Sequence, residues 1–408
     1  MTAPFSQDRA AGVISRLREL DAGSGGRRVA WTDTWDDARA WFAGLAREVP
    51  GVEVNFDACG NMWARLRGDS ERAVAVGSHL DCVPDGGWLD GVLGVLTGLG
   101  LLEALAGQPR GRTLVVVDWA DEEGARFGRS LLGSSAAVGL LAADDADQLE
   151  DTEGARLIDE VSARGFDLSA GPVAEVAELD AYVELHIEQG PVLEAEGRPC
   201  AGVAGCLGVR RWRATFQGQA AHAGTTPMDS RRDPIEAAAR LKVALGPAAS
   251  ETRGLATIGE IHAEPNVPTA IAGRCAVVVD LRHADRQALE RLDQETRRLA
   301  ADAARVTGTD LAIDEIWAIA PVEFDPRLVA LATEATGGGP PLTSGALHDA
   351  AAVARAGIPT AMMFASSAKG LSHTRKEDTP EPDLIAAISA FSTLVRNLVN
   401  DKELPHGH

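Results

Sequence analysis

Apolar runs bounded by glycines and polar clusters set the rhythm of the first half of the chain. Residues 73–76 (AVAV) read as a short strand leading into His79, residues 93–105 as a buried helix, 113–117 (TLVVV) as a second strand and 182–187 (YVELHI) as a third. Short apolar runs alternating with helical stretches are the pattern of parallel strands joined by crossover helices. The pattern predicts an α/β fold, with a mostly parallel central sheet and helices on both faces. In such sheets ligands gather beyond the carboxyl ends of the strands. All three runs end in histidine or acidic residues: His79, the Asp121-Glu122-Glu123 loop, and His186.

From about residue 209 the rhythm changes. Strands are predicted at 209–216, 255–261, 275–281 and 311–319, with helices at 234–245 and 286–306. The order β-α-β-β-α-β is that of a ferredoxin-like α+β unit. Residues 209–327 therefore read as a separate domain inserted into a first domain made of 1–208 and 328–408. A helix at 346–355, a strand at 360–364 and a helix at 382–400 complete the first domain's sheet, and the tail LPHGH is expected to be disordered.

Composition narrows the function. A chain of 408 residues, 45% hydrophobic and 24% charged, suits two globular domains. A formal charge of −21 disfavours nucleic acid and anionic membranes as partners. The five cysteines are odd in number and form no CxxC pair, which reads as reduced thiols in a cytoplasm. The N-terminus lacks an apolar h-region, and the longest apolar stretch, 91–102, is too short for a membrane span and is closed by Glu103.

Of nine histidines, five lie in loops rich in Gly, Ser or acidic residues: His79 in GSHLDCVPDGG, His186 in ELHIEQG, His222 in AAHAGTTPM, His348 in SGALHDA and His373 in GLSHTRKED. Any one alone is most simply a satisfied surface or core group. Five in such settings point together to a site. In the extended segment His79-Leu80-Asp81 the two polar side chains share a face. The Asp81 carboxylate can then accept the second imidazole N–H of a metal-bound His79 and fix its tautomer. Asp90 lies eleven residues beyond His79, past a Pro/Gly turn, at the start of a helix. Glu122 and Glu123 by themselves are a solvated acidic loop. Beside histidines, they pair a metal-binding carboxylate with one that moves protons. Ligation by His, Asp and Glu without cysteine suits Zn2+ or Mn2+.

The strings GSHLDCVPDGGWLDGVLG, DEEGARFG, ELHIEQGPVLE, HAGTTPM followed by RRDP, SGALHDA and GLSH resemble the N-carbamoyl-L-amino-acid hydrolase family. Allantoate amidohydrolase and β-ureidopropionase are its close relatives, within the clan of aminoacylase and carboxypeptidase G. The resemblance runs from about Arg28 to Glu377. It implies a zinc-aminopeptidase-like catalytic domain with an inserted lid and dimerisation domain, and two divalent ions per subunit (Zn2+ or Mn2+, with Co2+ or Ni2+ as alternatives). His79, Asp90 and His186 are implied to hold one ion, and Asp90, Glu123 and His373 the other, with Asp90 bridging. Glu122 becomes the general base, Asp81 the group that orients His79, and His222 a donor completing the site of a partner subunit in a homodimer. Gln189, Thr269, Arg282 and the Gly370 loop are implied to contact a small carboxylated substrate, with Arg282 on its carboxylate. His348 matches its motif without being a ligand.

The implied reaction is hydrolysis of the carbamoyl group of an N-carbamoyl-L-amino acid or a similar ureido compound, releasing ammonia and carbon dioxide. Allantoate, or an N-acyl or dipeptide bond, is the alternative substrate. A binding protein that has lost catalysis would lack a ligand or Glu122, and none is missing. Departures from the family pattern fall on the substrate side: Thr269 for Asn, Ala272 for Pro, Leu347 for Gly, Ser366 for Pro and Cys82 for Thr.

Overall fold

The computed structural model describes residues 5–401, and the tail at 404–408 lies outside them. The chain divides into two compact units, one built from the residues up to Gly205 and from Glu323 onward, the other from Cys206–Val322.

The first unit opens with helices Gln7–Ser24 and Asp33–Glu48, followed by strands β1 (Val52–Phe56), β2 (Met62–Leu66) and β3 (Ser70–His79). Helix Val92–Leu105 leads to β4 (Arg112–Trp119), and later come β5 (Leu179–Ile187) and β6 (Cys200–Cys206). In the second unit lie β7 (Gly208–Gln217), β8 (Ala221–His222), β9 (Leu255–Glu264), β10 (Ala270–Ile271), β11 (Arg274–His283) and β12 (Asp310–Ile319). After it come β13 (Val322–Glu323), β14 (Leu342–Ser344) and β15 (Thr360–Ala365), then helix Glu381–Asn400.

The large sheet has the order β1-β2-β4-β3-β5-β15-β6-β13, with β14 on β6. Its centre, β4-β3-β5-β15, is parallel, as the continuous apolar runs predict. Strands covered on both faces need no alternation, and every residue of β4, β5 and β15 is buried. On the flanks, where no strands were predicted, β1, β2 and β6 pair antiparallel. Helix Val92–Leu105 is apolar on all sides because it is buried on nearly all of them. A Cβ at Gly94 would lie 2.6 Å from the Leu185 carbonyl oxygen, so glycine there lets the helix sit down on the sheet. Helix Glu381–Asn400 is long and apolar enough to cross a membrane, yet Leu384, Ile388, Phe391, Leu394, Val395 and Leu398 join the core of this unit.

In the second unit, strands β12-β7-β11-β9 form an antiparallel sheet. Trp212, Ala214 and Phe216 alternate inward along β7 and meet Leu241 and Leu245 of helix Pro234–Thr252 and Leu289 and Leu292 of helix Arg286–Thr307. This is the ferredoxin-like order. The first helix outruns its predicted end at 245 and continues past Pro247 to Thr252. A short ribbon, β8 with β10, sets Ala270 opposite His222. Two-residue strands are too brief to leave a readable period, and none was predicted there.

Candidate metal centre

Three strand ends in the first unit deliver the histidines and carboxylates. His79 ends β3, and the chain beyond is pinned by the Leu80 N–H donating to Asp118 Oδ1 at 2.8 Å. Asp118 is buried on β4, and Arg39 donates to its other oxygen at 2.7 Å. His79 Nδ1 lies 3.1 Å from the Asp81 backbone carbonyl and 3.6 Å from its carboxylate. The orienting bond expected from the Asp81 side chain therefore comes from its main chain. The carboxylate instead accepts the N–H groups of Glu122 and Glu123 at 3.2 and 3.1 Å, so it holds the acidic loop after β4. That loop turns through Asp121 at φ 57°, whose carboxylate accepts from Trp31 Nε1 and Gly124 N.

Asp90 stands between two histidines. Its Oδ1 is 3.2 Å from His186 Nε2 and its Oδ2 is 3.2 Å from His373 Nε2. Glu123 Oε2 lies 3.4 Å from His373 Nε2. Two groups of three potential ligands result, His79–Asp90–His186 and Asp90–Glu123–His373, each with its ligand atoms within 4.8 Å of one another. Gly91 has φ +69°, and a Cβ there would lie 2.4 Å from the His79 ring. Gln189 Nε2 donates to both Asp90 oxygens at 3.1 Å, while its buried Oε1 finds no partner. The Gly370 loop packs against Gly190 and Pro191, where a Cβ on Gly370 would lie 2.9 Å from the Gly190 carbonyl carbon. Glu122 Oε2 is 3.7 Å from His79 Nε2, outside hydrogen-bond range, so its carboxylate is not tied to that ligand.

Burial governs the electrostatics. It pushes Asp81 up to about 6 and Glu123 up to about 8. Glu122 is raised well above the usual carboxylate range by burial and by the charges of Asp349, Glu123, Asp81 and Asp90. Burial lowers His79 to about 4. Asp90 runs the other way: against the cost of burial, hydrogen bonds from His186 and His373 hold it well below its usual value. Its charge in turn lifts both histidines to about 9. So many buried carboxylates need cations among them. The donor set is imidazole and carboxylate with no thiolate, and one buried amide oxygen is unpartnered. These residues fit divalent ions of the Zn2+ or Mn2+ kind.

His348 is buried, with Nε2 2.8 Å from Ser344 Oγ and its ring edge-on to His186. With Glu184 and His186 it forms a third group of potential ligands. Glu184 already accepts from Ser78 and from the Ala350 N–H at 2.7 and 2.9 Å. Cys82 is buried, and its sulfur accepts the Arg28 N–H at 3.2 Å, the setting of a packed small residue. Ser366 gives its N–H to the Pro199 carbonyl, a bond the family's usual proline cannot make.

The second unit carries His222, Thr269 and Arg282. His222 and Thr269 meet on the small ribbon, where the Ala223 N–H donates to the Thr269 carbonyl at 3.0 Å. Arg282, near the end of β11, is held by Asp280, which also binds Arg211. Sequence reasoning missed Glu184, Glu377 and the Arg39–Asp118 pair. Glu184 was within reach, since it lies two residues before His186 on a strand and so shares its face. The Arg39–Asp118 pair and the Glu377 bonds to Leu89 and Asp90 join groups far along the chain and leave no local mark.

Comparison with known proteins identifies relatives of the chain. The model of peptidase family M20/M25/M40 matches residues 75–397. The allantoate amidohydrolase of Bacillus subtilis is 35% identical over 390 residues, covering 92% of this chain and 93% of that protein. The N-carbamoyl-L-amino acid amidohydrolase of Geobacillus stearothermophilus is 36% identical over 372 residues, covering 88% and 90%. The crystal structure of a hydantoinase/carbamoylase family amidase from Burkholderia ambifaria superposes with a TM-score of 0.84 at 35% identity, covering 96% of this chain and 98% of that one.

Proposed function

The chain belongs to peptidase family M20/M25/M40, and from that premise we propose that it is a metal-dependent amidohydrolase cleaving the ureido group of an N-carbamoyl-L-amino acid or a similar small carboxylated compound. The observation that carries the reading is Asp90, which offers one carboxylate oxygen to each of two histidines far apart in the chain, His186 on β5 and His373 in a loop. Asp90 with His79 and His186 would hold one ion, and Asp90 with Glu123 and His373 the other. When bound, the ions supply Lewis acidity at the carbonyl and make the attacking water acidic near neutrality. Glu122, untied to His79, takes the proton from that water and returns it to the departing nitrogen. Asp81 keeps Glu122 and Glu123 in register through their N–H groups. Gln189 and the Gly370 loop line the substrate side, and Thr269 and Arg282 are proposed as contacts of the substrate carboxylate. Ammonia, carbon dioxide and the free amino compound are the products. All five cysteines are free and buried, which accords with a reducing cytoplasmic setting.

A screen of N-carbamoyl-L-amino acids, allantoate and N-acyl amino acids with Zn2+, Mn2+, Co2+ and Ni2+ tests the reaction. Ammonia release from ureido substrates is expected. Amino-acid release from N-acyl substrates without ammonia would move the protein to another branch of the family.

The second unit is proposed to pair two copies of the chain. Its β9 is a ten-residue edge strand exposing Leu255 and Ile261, and the neighbouring helix exposes Ile235 and Val243. An unpaired edge with apolar side chains is a template for another strand. His222 is exposed, and its Nδ1 accepts the Gly224 N–H at 3.0 Å. The remaining ring proton is thus on Nε2, a donor suited to a developing oxyanion in the partner's site. His222→Ala should leave metal content intact while kcat falls by roughly 10²–10³. Mixing inactive Glu122→Gln and His222→Ala proteins should return activity, up to about half of wild type per heterodimer, because one of the two sites is rebuilt. Exchange of subunits without returning activity would place His222 in its own subunit's chemistry or in none.

A further inference from the structure

Glu377 belongs to neither ligand group, yet it joins two of the three loops that carry the second one, those of Asp90 and His373. Its buried carboxylate accepts the Leu89 and Asp90 N–H groups on Oε1 at 2.9 and 3.1 Å, and the Ser372 hydroxyl on Oε2 at 2.9 Å. Ser372 directly precedes His373, and its oxygen is also 3.1 Å from Asp90 Oδ2. One side chain therefore fixes the main chain of Asp90 and the residue beside His373. The approach is close. A Cβ at Gly87 would lie 2.0 Å from the Glu377 carboxyl carbon and oxygen, so position 87 is kept bare where the carboxylate crosses.

We infer that Glu377 is a positioning residue for the ion held by Asp90, Glu123 and His373, setting how far the Asp90 carboxylate stands from His373. The inference rests on the two-ion reading above. The competing role is plain structural satisfaction of two amides that precede helix Val92–Leu105. The two roles separate in metal affinity, read without substrate by competition between apoprotein and a chromogenic chelator for Zn2+ alone. Glu377→Ala should weaken one of two Zn2+ ions by about 10–100-fold, the usual cost of losing a group behind a ligand, and leave the other within a few-fold. Glu377→Gln keeps an acceptor for the two amides and can donate to Ser372, so it should recover most of the affinity. Activity of the Ala variant should return as Zn2+ is raised.

A folded Glu377→Ala protein that holds both ions as tightly as wild type overturns the inference while leaving the two-ion reading intact. A wild type that holds fewer than two ions overturns both. If Glu377→Ala gives no cooperative melt, Ser372→Ala carries the test, since it removes the hydroxyl that links Glu377, Asp90 and Gln189 and leaves both amides satisfied. It should weaken the same ion several-fold, and unchanged affinity would refute the assignment.

Discussion

Glu122→Gln should bind two metal ions normally and lose activity by about 10²–10⁴-fold or more. The expectation follows from where Glu122 sits. Its carboxylate is 3.7 Å from His79 Nε2, while both oxygens of Asp90 are committed to histidines. Glutamine fills the same volume, avoids the cost of burying a carboxylate and relieves repulsion from Asp349, Glu123, Asp81 and Asp90, the burial and charges that raise Glu122. The variant should therefore fold at least as stably as wild type. What it lacks is a group able to accept a proton from water and hand it on. Metal analysis alongside steady-state kinetics decides the matter. Loss of one metal equivalent would make Glu122 a ligand, and near-full turnover would remove it from proton transfer.

Asp90→Ala should strip both ions and abolish turnover. His79, His186, Glu123 and His373 each serve one of the two proposed ion groups, but Asp90 belongs to both. Replacing His79 or His373 should lower the occupancy of one ion chiefly, whereas the Asp90 change leaves His186 and His373 facing each other with no anion between. The loss should exceed the roughly 10–100-fold typical of a group that only supports a ligand. Titration of the chelated protein with Zn2+ measures it, and an Asp90→Ala protein that keeps two tightly bound ions would end the bridging assignment.

Legibility in the sequence tracked the distance over which each interaction acts. The parallel centre of the large sheet was readable because strands buried on both faces write uninterrupted apolar runs, as TLVVV does in β4. The antiparallel flank was not, since β1 and β2 are five residues each and their turn signal lies among other polar residues. The ligands sit in motif-bearing segments, His79 and His186 at the ends of β3 and β5 and the others in loops, where local spacing carries chemistry. Asp81 shows the limit of that reasoning. Side-chain alternation put its carboxylate on the face of His79, and it is indeed near, but a turn brings the Glu122 and Glu123 amides closer. Glu377 could not be read at all, because its partners at Leu89 and Asp90 are brought to it only by the fold.

The place of β15 in the sheet bears on how the protein is made. It lies between β5 and β6, with Thr360 opposite Tyr182 and Met362 opposite Val203. A ribosome delivers β5 and β6, then the whole ferredoxin-like unit, before the strand that joins them exists. Until then both carry open, apolar edges, the kind that invite pairing with other chains. The inserted unit has its own core and a local antiparallel order, so it can close while the larger sheet waits. A nascent chain halted before residue 360 is thus half folded and half adhesive, and the last strand to emerge ends its exposure to aggregation.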